Sequence, residues 1–345
     1  MRILILTQKM DKNDPILGFF NTWVEKMAGE VKSIKVICLE EGEHNLPPNV
    51  QVYSLGKESG RSKLKYLYNF YKYIFKLKNE YDTVFVHMNP EYVVLGGLFW
   101  RMFNKKIALW YTHREVDLKL RIAEKFSDII FTASKESFRL LSDKLKVMGH
   151  GIDLNSYNVP AYKEHTGPIK IIQVGRITPI KHCTEAVEAL YILRDSWVRD
   201  VSLRFVGEPT TDEDKAYFKK LMKLVETRGV SEQVKFVGSV SKDKIVKEYE
   251  GCDISLNLLP TGGLDKAVFE SMASGRLVVS SNQAFKEYLG DKLILKDFSA
   301  RTVSEKIKDI FNQGGLENVT ITLKHTAENK ANLDSLIKNI IKELR

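Results

Sequence analysis

Two stretches of this chain combine residue types and spacings suited to gripping a doubly phosphorylated group. In Val174-Gly175-Arg176-Ile177-Thr178-Pro179-Ile180-Lys181, a glycine that permits a close turn is followed by two permanent cations. A helix predicted to begin directly afterwards adds unpaired amides and the positive end of its dipole, which together attract a diphosphate. The same run also reads as a solvated loop with two surface charges, and one such motif does not separate the two readings. The second stretch runs from Pro260 to Gly275, PTGGLDKAVFESMASG. Gly262 and Gly263 bare their amides, a helix begins at once, and Gly275 is placed to end it. Lys266 and Glu270 are four apart on one face, as an ion pair or as a cation for phosphate and a carboxylate acceptor for a ribose diol.

Two histidines end predicted strands. His113 closes Trp110-Tyr111-Thr112-His113 and is a candidate for chemistry; His87, before Met88-Asn89-Pro90, reads equally as a contact to an acceptor and as a structural residue. No histidine pair has zinc-ligand spacing and no D-x-D run suggests a clamped metal, so no metal site is expected. The cysteines, Cys38, Cys183 and Cys252, are odd in number and far apart, which fits reduced thiols in the cytoplasm.

The elements that position these residues repeat twice. Strands are predicted at 2–7, 34–39, 82–87, 106–112, 128–132 and 146–148, with helices at 18–29, 62–79, 91–103, 118–126 and 134–143. After a polar passage ending at Gly167-Pro168 come strands at 169–174, 202–206, 234–237, 253–257, 277–280 and 293–295. Their helices fall at 182–195, 213–228, 241–250, 264–274, 283–289 and 302–313, and a last helix at 327–344 has no strand after it. This alternation predicts an α/β protein of two Rossmann-like, doubly wound parallel-sheet domains. The boundaries expected are 1–158, 159–326 and a C-terminal segment 327–345 that packs back on the first domain. Length agrees, since 345 residues exceed one ordinary core. Ligands in such sheets lie beyond the carboxyl ends of the strands, so two domains can face one cleft.

Charge is uneven. The net is +9, and residues 1–150 hold 24 Lys and Arg against 17 Asp and Glu. That field suits phosphorylated small molecules, anionic lipid or nucleic acid alike, but the basic residues are dispersed and no nucleic-acid module appears. No segment is long and apolar enough to span a membrane, so any membrane contact comes from the side. Residues 61–78 form a helix with a stripe of Lys65, Asn69, Lys72 and Lys76 and aromatic residues around it. It reads as a sheet-covering helix with a lysine edge or as an interfacial helix at the inner membrane face.

The G-R-x-x-P-x-K run, the helix ending in E-S-M-A-S-G before Arg276-Leu277-Val278-Val279-Ser280, and the linker His150-Gly151-Ile152-Asp153 occur in order along the chain. In this combination the chain resembles retaining glycosyltransferase family 4, of the GT-B fold. The resemblance implies sugar transfer from a nucleotide-diphosphate donor to a glycan or lipid-linked acceptor, with no cofactor beyond that co-substrate and no catalytic metal. By position, it implies that Arg176 and Lys181 bind the diphosphate, Glu270 the ribose, and Gly238 with Ser239 the base. Gly175, Gly262, Gly263, Leu264, Asp265 and Lys266 line the donor. It makes His113 a cleft histidine near the transferred sugar, and Gly18, in Asp14-Pro15-Ile16-Leu17-Gly18-Phe19-Phe20, a glycine near the diphosphate. The family commonly has a second glutamate eight residues before the first; here that position is Gly262, which removes a carboxylate from the sugar. A nucleotide-sugar epimerase of related fold and a nonenzymatic sugar-nucleotide binder are the competing readings.

Overall fold

β1, Arg2–Met10, opens with Ile3 to Leu6 fully buried, as a strand covered on both faces must be. The computed structural model describes residues 1–14 and 16–345, and only the backbone of residues 242 and 243. Pro15, part of the loop singled out above, lies outside the described residues. The chain divides into Met1–Gly151 with Leu333–Arg345, and Ile152–Asn332.

In the first unit, β1 is followed by α1 (Phe19–Glu30), β2 (Ser33–Glu41), β3 (Val50–Ser54), α2 (Lys63–Lys76), β4 (Thr83–His87) and α3 (Pro90–Met102). β5 (Lys106–Trp110), α4 (Leu118–Phe126), β6 (Ile129–Thr132) and β7 (Leu145–Val147) complete the series. All pairings are parallel in the order β3-β2-β1-β4-β5-β6-β7. Strand order reverses between β1 and β4, so the crevice for a ligand opens beside the loops after these two strands.

The second unit contains β8 (Ile169–Val174), α5 (Cys183–Ser196), β9 (Val201–Val206), α6 (Asp212–Thr227), β10 (Val234–Gly238) and α7 (Lys242–Glu250). β11 (Ile254–Asn257), α8 (Lys266–Ala273), β12 (Leu277–Ser280), α9 (Lys286–Leu289), α10 (Ala300–Gln313) and α11 (Leu316–Lys330) follow. Its sheet, β10-β9-β8-β11-β12, is also parallel and reverses between β8 and β11. The two glycine-containing stretches singled out in the sequence are the loops after β8 and β11, which flank that reversal. α12 (Leu333–Leu344) returns to the first unit. Its Leu333, Leu336, Ile337, Ile340, Ile341 and Leu344 form one buried stripe in the core that holds Trp23, Val24 and Met27 of α1.

Several expected elements differ. The chain passes into the second unit at residue 152, not 159, because the Ile152 amide donates to Ala331 O at 2.6 Å and Ile152 bridges Asn332. The expected helix 327–344 breaks for the same reason: residues 331 and 332 serve that bridge, and α11 and α12 lie on either side. Residues 134–143 hold only a 3-10 turn, Lys135–Ser137, because short polar side chains compete for the backbone; Ser134 and Ser137 hydroxyls pair at 3.0 Å and Ser142 caps Lys144 N. Residues 293–295 reach the sheet only through one bridge, Ser280 to Ile294. β3 and the start of α11 went unpredicted.

Candidate functional site

Three glycines at neighbouring strand ends make a floor without side chains. Gly175, Gly207 and Gly238 have φ of 125°, 141° and 83°, values that favour glycine. The Gly175 amide donates to Val206 O and the Gly207 amide to Gly238 O, each at 2.9 Å. A Cβ on Gly207 would lie 2.1 Å from Gly175 O, so these backbones touch. On this floor Arg176 is exposed, its Nη1 3.5 Å from Thr210 Oγ1, while Ile177 beside it is buried and anchors the loop. A 3-10 turn, Pro179–Lys181, leads through His182 into α5, whose first turn receives no side-chain cap from His182. Ser239 N donates to Glu208 Oε1 at 3.0 Å, which fixes the turn after β10.

Lys181 folds back over Gly175, where a Cβ would stand 2.9 Å from Nζ, and pairs with Asp265 Oδ2 at 2.5 Å. Asp265 caps α8 by accepting from Ala267 N at 3.2 Å, and it accepts from Asn257 Nδ2 at 3.0 Å. One carboxylate therefore joins the loop after β8 to the helix after β11. Lys266 Nζ lies 3.5 Å from Glu270, the intrahelical pair its spacing allows. Glu270 also accepts from the Tyr249 hydroxyl at 3.3 Å and hydrogen-bonds the Tyr157 phenol. Burial, then the Glu270 charge, push both phenols well above their ordinary value, so they stay protonated donors.

The glycine pair is held from below. Asn282 Oδ1 accepts from Gly262 N at 3.2 Å and from Ala284 N at 3.0 Å, and its Nδ2 donates to Gly263 O at 3.0 Å. Asn282 N donates to Ser280 Oγ, which donates to Asn257 Oδ1 at 2.8 Å. Asn257, Ser280 and Asn282 are all buried, so a continuous polar chain runs from Lys181 to the Gly262-Gly263 backbone. Gly262 thus spends its amide on Asn282; Leu264 is buried in the core of the second unit.

In the first unit, Gly18 precedes α1. A Cβ there would lie 2.5 Å from Asp14 O and 2.8 Å from Lys12 O, so only glycine fits this turn. The turn is tied down by Asp14, which accepts from Ile16 N and Leu17 N, and by Lys9, which pairs with Asp14 at 3.1 Å and Glu40 at 2.9 Å. His113 is exposed beyond β5, 5.7 Å between ring centroids from Tyr111. His87 is inside: its ring stacks on Phe20 at 3.9 Å, with Trp23 at 6.2 Å, and Nδ1 is 3.4 Å from Thr7 Oγ1.

The sequence pattern of Glycosyl transferases group 1 matches residues 158–331. This chain belongs to that family. Its fold is GT-B, shared over the whole length with Anabaena HepE, solved with UDP, at a TM-score of 0.78 and 16% identity (100% of this chain, 99% of that one). Sucrose-phosphate synthase from Thermosynechococcus elongatus aligns at a TM-score of 0.78 and 13% identity, covering 99% and 98%. A glycosyltransferase from Rickettsia africae aligns at 0.76 and 14%, covering 99% and 97%. No curated protein matches the chain.

The cradle of this glycosyltransferase includes residues that spacing did not flag: Asn257, Ser280 and Asn282 beneath the glycine loop, and Tyr157 and Tyr249 on Glu270. Three consecutive polar residues, Ser280 to Asn282, at the end of a buried strand were the available signal. Burial of His87 drives its pKa down to about 3. Because the unfolded chain titrates near 6.5, it binds the extra proton first as pH falls, and stability is lost below that value. Between pH 6.5 and 5 this removes about 2 kcal/mol at about 1.36 kcal/mol per unit. Urea unfolding across that range should show the decline, and His87→Gln should flatten it.

Proposed function

We propose that this glycosyltransferase moves a sugar from a nucleotide-diphosphate donor, held by the Ile152–Asn332 unit, to a hydroxyl of a glycan or lipid-linked acceptor, with retention at the anomeric carbon and no catalytic metal. The observation that carries the reading is that Arg176, Lys181 and the start of α5 all lie on the loop after β8, beside the reversal of strand order between β8 and β11. Negative charge gathers on the diphosphate as the glycosidic bond breaks, and fixed cations and amides stabilise it where it develops. The glycine floor lets the backbone approach the phosphates closely. Glu270, held by two phenols, accepts from the ribose hydroxyls, and Gly238 with Ser239 lies beside the base. Retention follows from attack on the face that the diphosphate leaves, with a leaving phosphate oxygen taking the acceptor proton, and His113 orients the reacting groups. That HepE was solved with UDP-glucose favours a uridine donor. Three buried free cysteines agree with a reducing, cytoplasmic setting.

Thermal unfolding in the presence of UDP, GDP or ADP tests the donor site. One nucleotide at a hundred times its dissociation constant should stabilise by about 2.7 kcal/mol, raising Tm by about 5 to 10 °C. No shift with any of them rejects the reading; a shift followed by release of an altered sugar without acceptor would make the enzyme an epimerase.

A further inference from the structure

α2 and α3 lie side by side on one face of the seven-stranded sheet. The Tyr71 hydroxyl donates to Leu95 O at 3.3 Å, and the Phe75 ring stands 5.0 Å from Phe99 and 5.6 Å from Phe103. Their inner residues Phe70, Ile74 and Trp100 are buried as expected. Their outer residues are also apolar: Leu64 is 81% exposed, Tyr68 68%, Phe75 42%, Leu98 57% and Met102 67%. Leu64 and Tyr68 are one turn apart, as are Leu98 and Met102, and Phe75 packs on Phe99 beside Leu98. Single exposed apolar residues are ordinary; five on two touching helices form a patch.

The charge along α2 has one sign. Residues 61–78 contain six cations and no Asp or Glu. Lys63, Lys72 and Lys76 are exposed and join no ion pair among the described residues. Of the acidic groups nearest in sequence, Glu58 accepts from Ser54 Oγ at 2.8 Å and Glu41 N at 3.2 Å, Glu80 pairs with Lys35 at 2.8 Å and Asp82 pairs with Arg2; on α3, Glu91 pairs with Lys119 at 2.7 Å. At the end of α3, Arg101 pairs with Asp128 at 2.8 Å, while Lys105 and Lys106 donate to Tyr81 O and Glu343 O. We propose that the α2–α3 face docks on the surface of an anionic phospholipid bilayer, its Leu, Met and aromatic side chains entering the interface and its lysines meeting the headgroups. A second copy fits this face poorly, because a two-fold pairing would set the same six cations against one another. The surface belongs to the Met1–Gly151 unit, so this inference stands or falls independently of the nucleotide test.

Flotation of the full chain with vesicles of phosphatidylcholine mixed with phosphatidylglycerol, against vesicles of phosphatidylcholine alone, tests it. Binding is expected to the mixed vesicles, to weaken with salt, and to fall about tenfold or more in a Lys63→Glu, Lys72→Glu, Lys76→Glu variant. A Leu64→Ser, Tyr68→Ser, Leu98→Ser variant should also lose binding at unchanged Tm, since none of these side chains is buried. Equal binding to both vesicles, no binding to either, or indifference to both variants would overturn the proposal. So would a dimer in sedimentation that the serine variant dissolves.

Discussion

Removing both fixed cations, Arg176→Ala with Lys181→Ala, is expected to lower donor-dependent transfer by about a hundred- to ten-thousandfold. Each charge-assisted contact contributes about 1.5 to 3 kcal/mol, so the pair amounts to about 3 to 6 kcal/mol, and every 1.4 kcal/mol is a factor of ten. The two residues should not contribute equally. Arg176 stands in solvent with one long contact to Thr210, which places it toward the lower end. Lys181 is enclosed between Gly175 and Asp265, where screening is weaker. Its loss also takes the ammonium from beside the Asp265 carboxylate, so Lys181→Ala should lower Tm as well as activity, whereas Arg176→Ala should lower activity alone. Steady-state kinetics with the donor identified by thermal shift, read beside Tm for each single variant, measure both effects. Undiminished transfer by the double variant would reject the diphosphate assignment.

The ease with which parts of this architecture could be read follows from how local their causes are. A strand such as Ile169–Val174 announces itself by apolar content, and the following Gly175-Arg176 and Pro179 mark a turn into a helix, so the loop after β8 is visible within eight residues. Glu270 was legible from its helix, but its partners were not: Tyr249 ends α7 and Tyr157 lies in a 3-10 turn far upstream, and only folding brings their rings 6.2 Å apart. The two strand-end histidines show the same limit. His87 and His113 have similar sequence settings, yet α1 covers the first with Phe20 and Trp23 and leaves the second open. α11 was hidden because Thr320, Thr322 and Thr326 lower helix propensity, while in place their hydroxyls bond back to carbonyls three or four residues earlier.

Asn282 carries the second large effect. A lone asparagine after a strand suggests a turn, but this one is fully buried and makes three side-chain hydrogen bonds, two of them to the backbone of the Gly262-Gly263 loop. Asn282→Ala leaves the Gly262 amide and the Gly263 carbonyl without these partners in a buried setting, at about 1 to 3 kcal/mol for each group left unsatisfied. The total, about 2 to 6 kcal/mol, should lower Tm by roughly 5 to 20 °C. Because the loop leads directly into Asp265 and α8, the same variant should raise the donor KM, which a purely structural loss elsewhere in the unit would not do. Asn282→Asp separates the parts: it keeps an acceptor for Gly262 N and Ala284 N and gives up only the donor to Gly263 O. It should therefore fall between the parent and the alanine variant in both Tm and KM. If the aspartate behaves like the alanine, the acceptor half of the contact is not what holds the loop; if the alanine leaves KM unchanged, the glycine pair is not positioned from below.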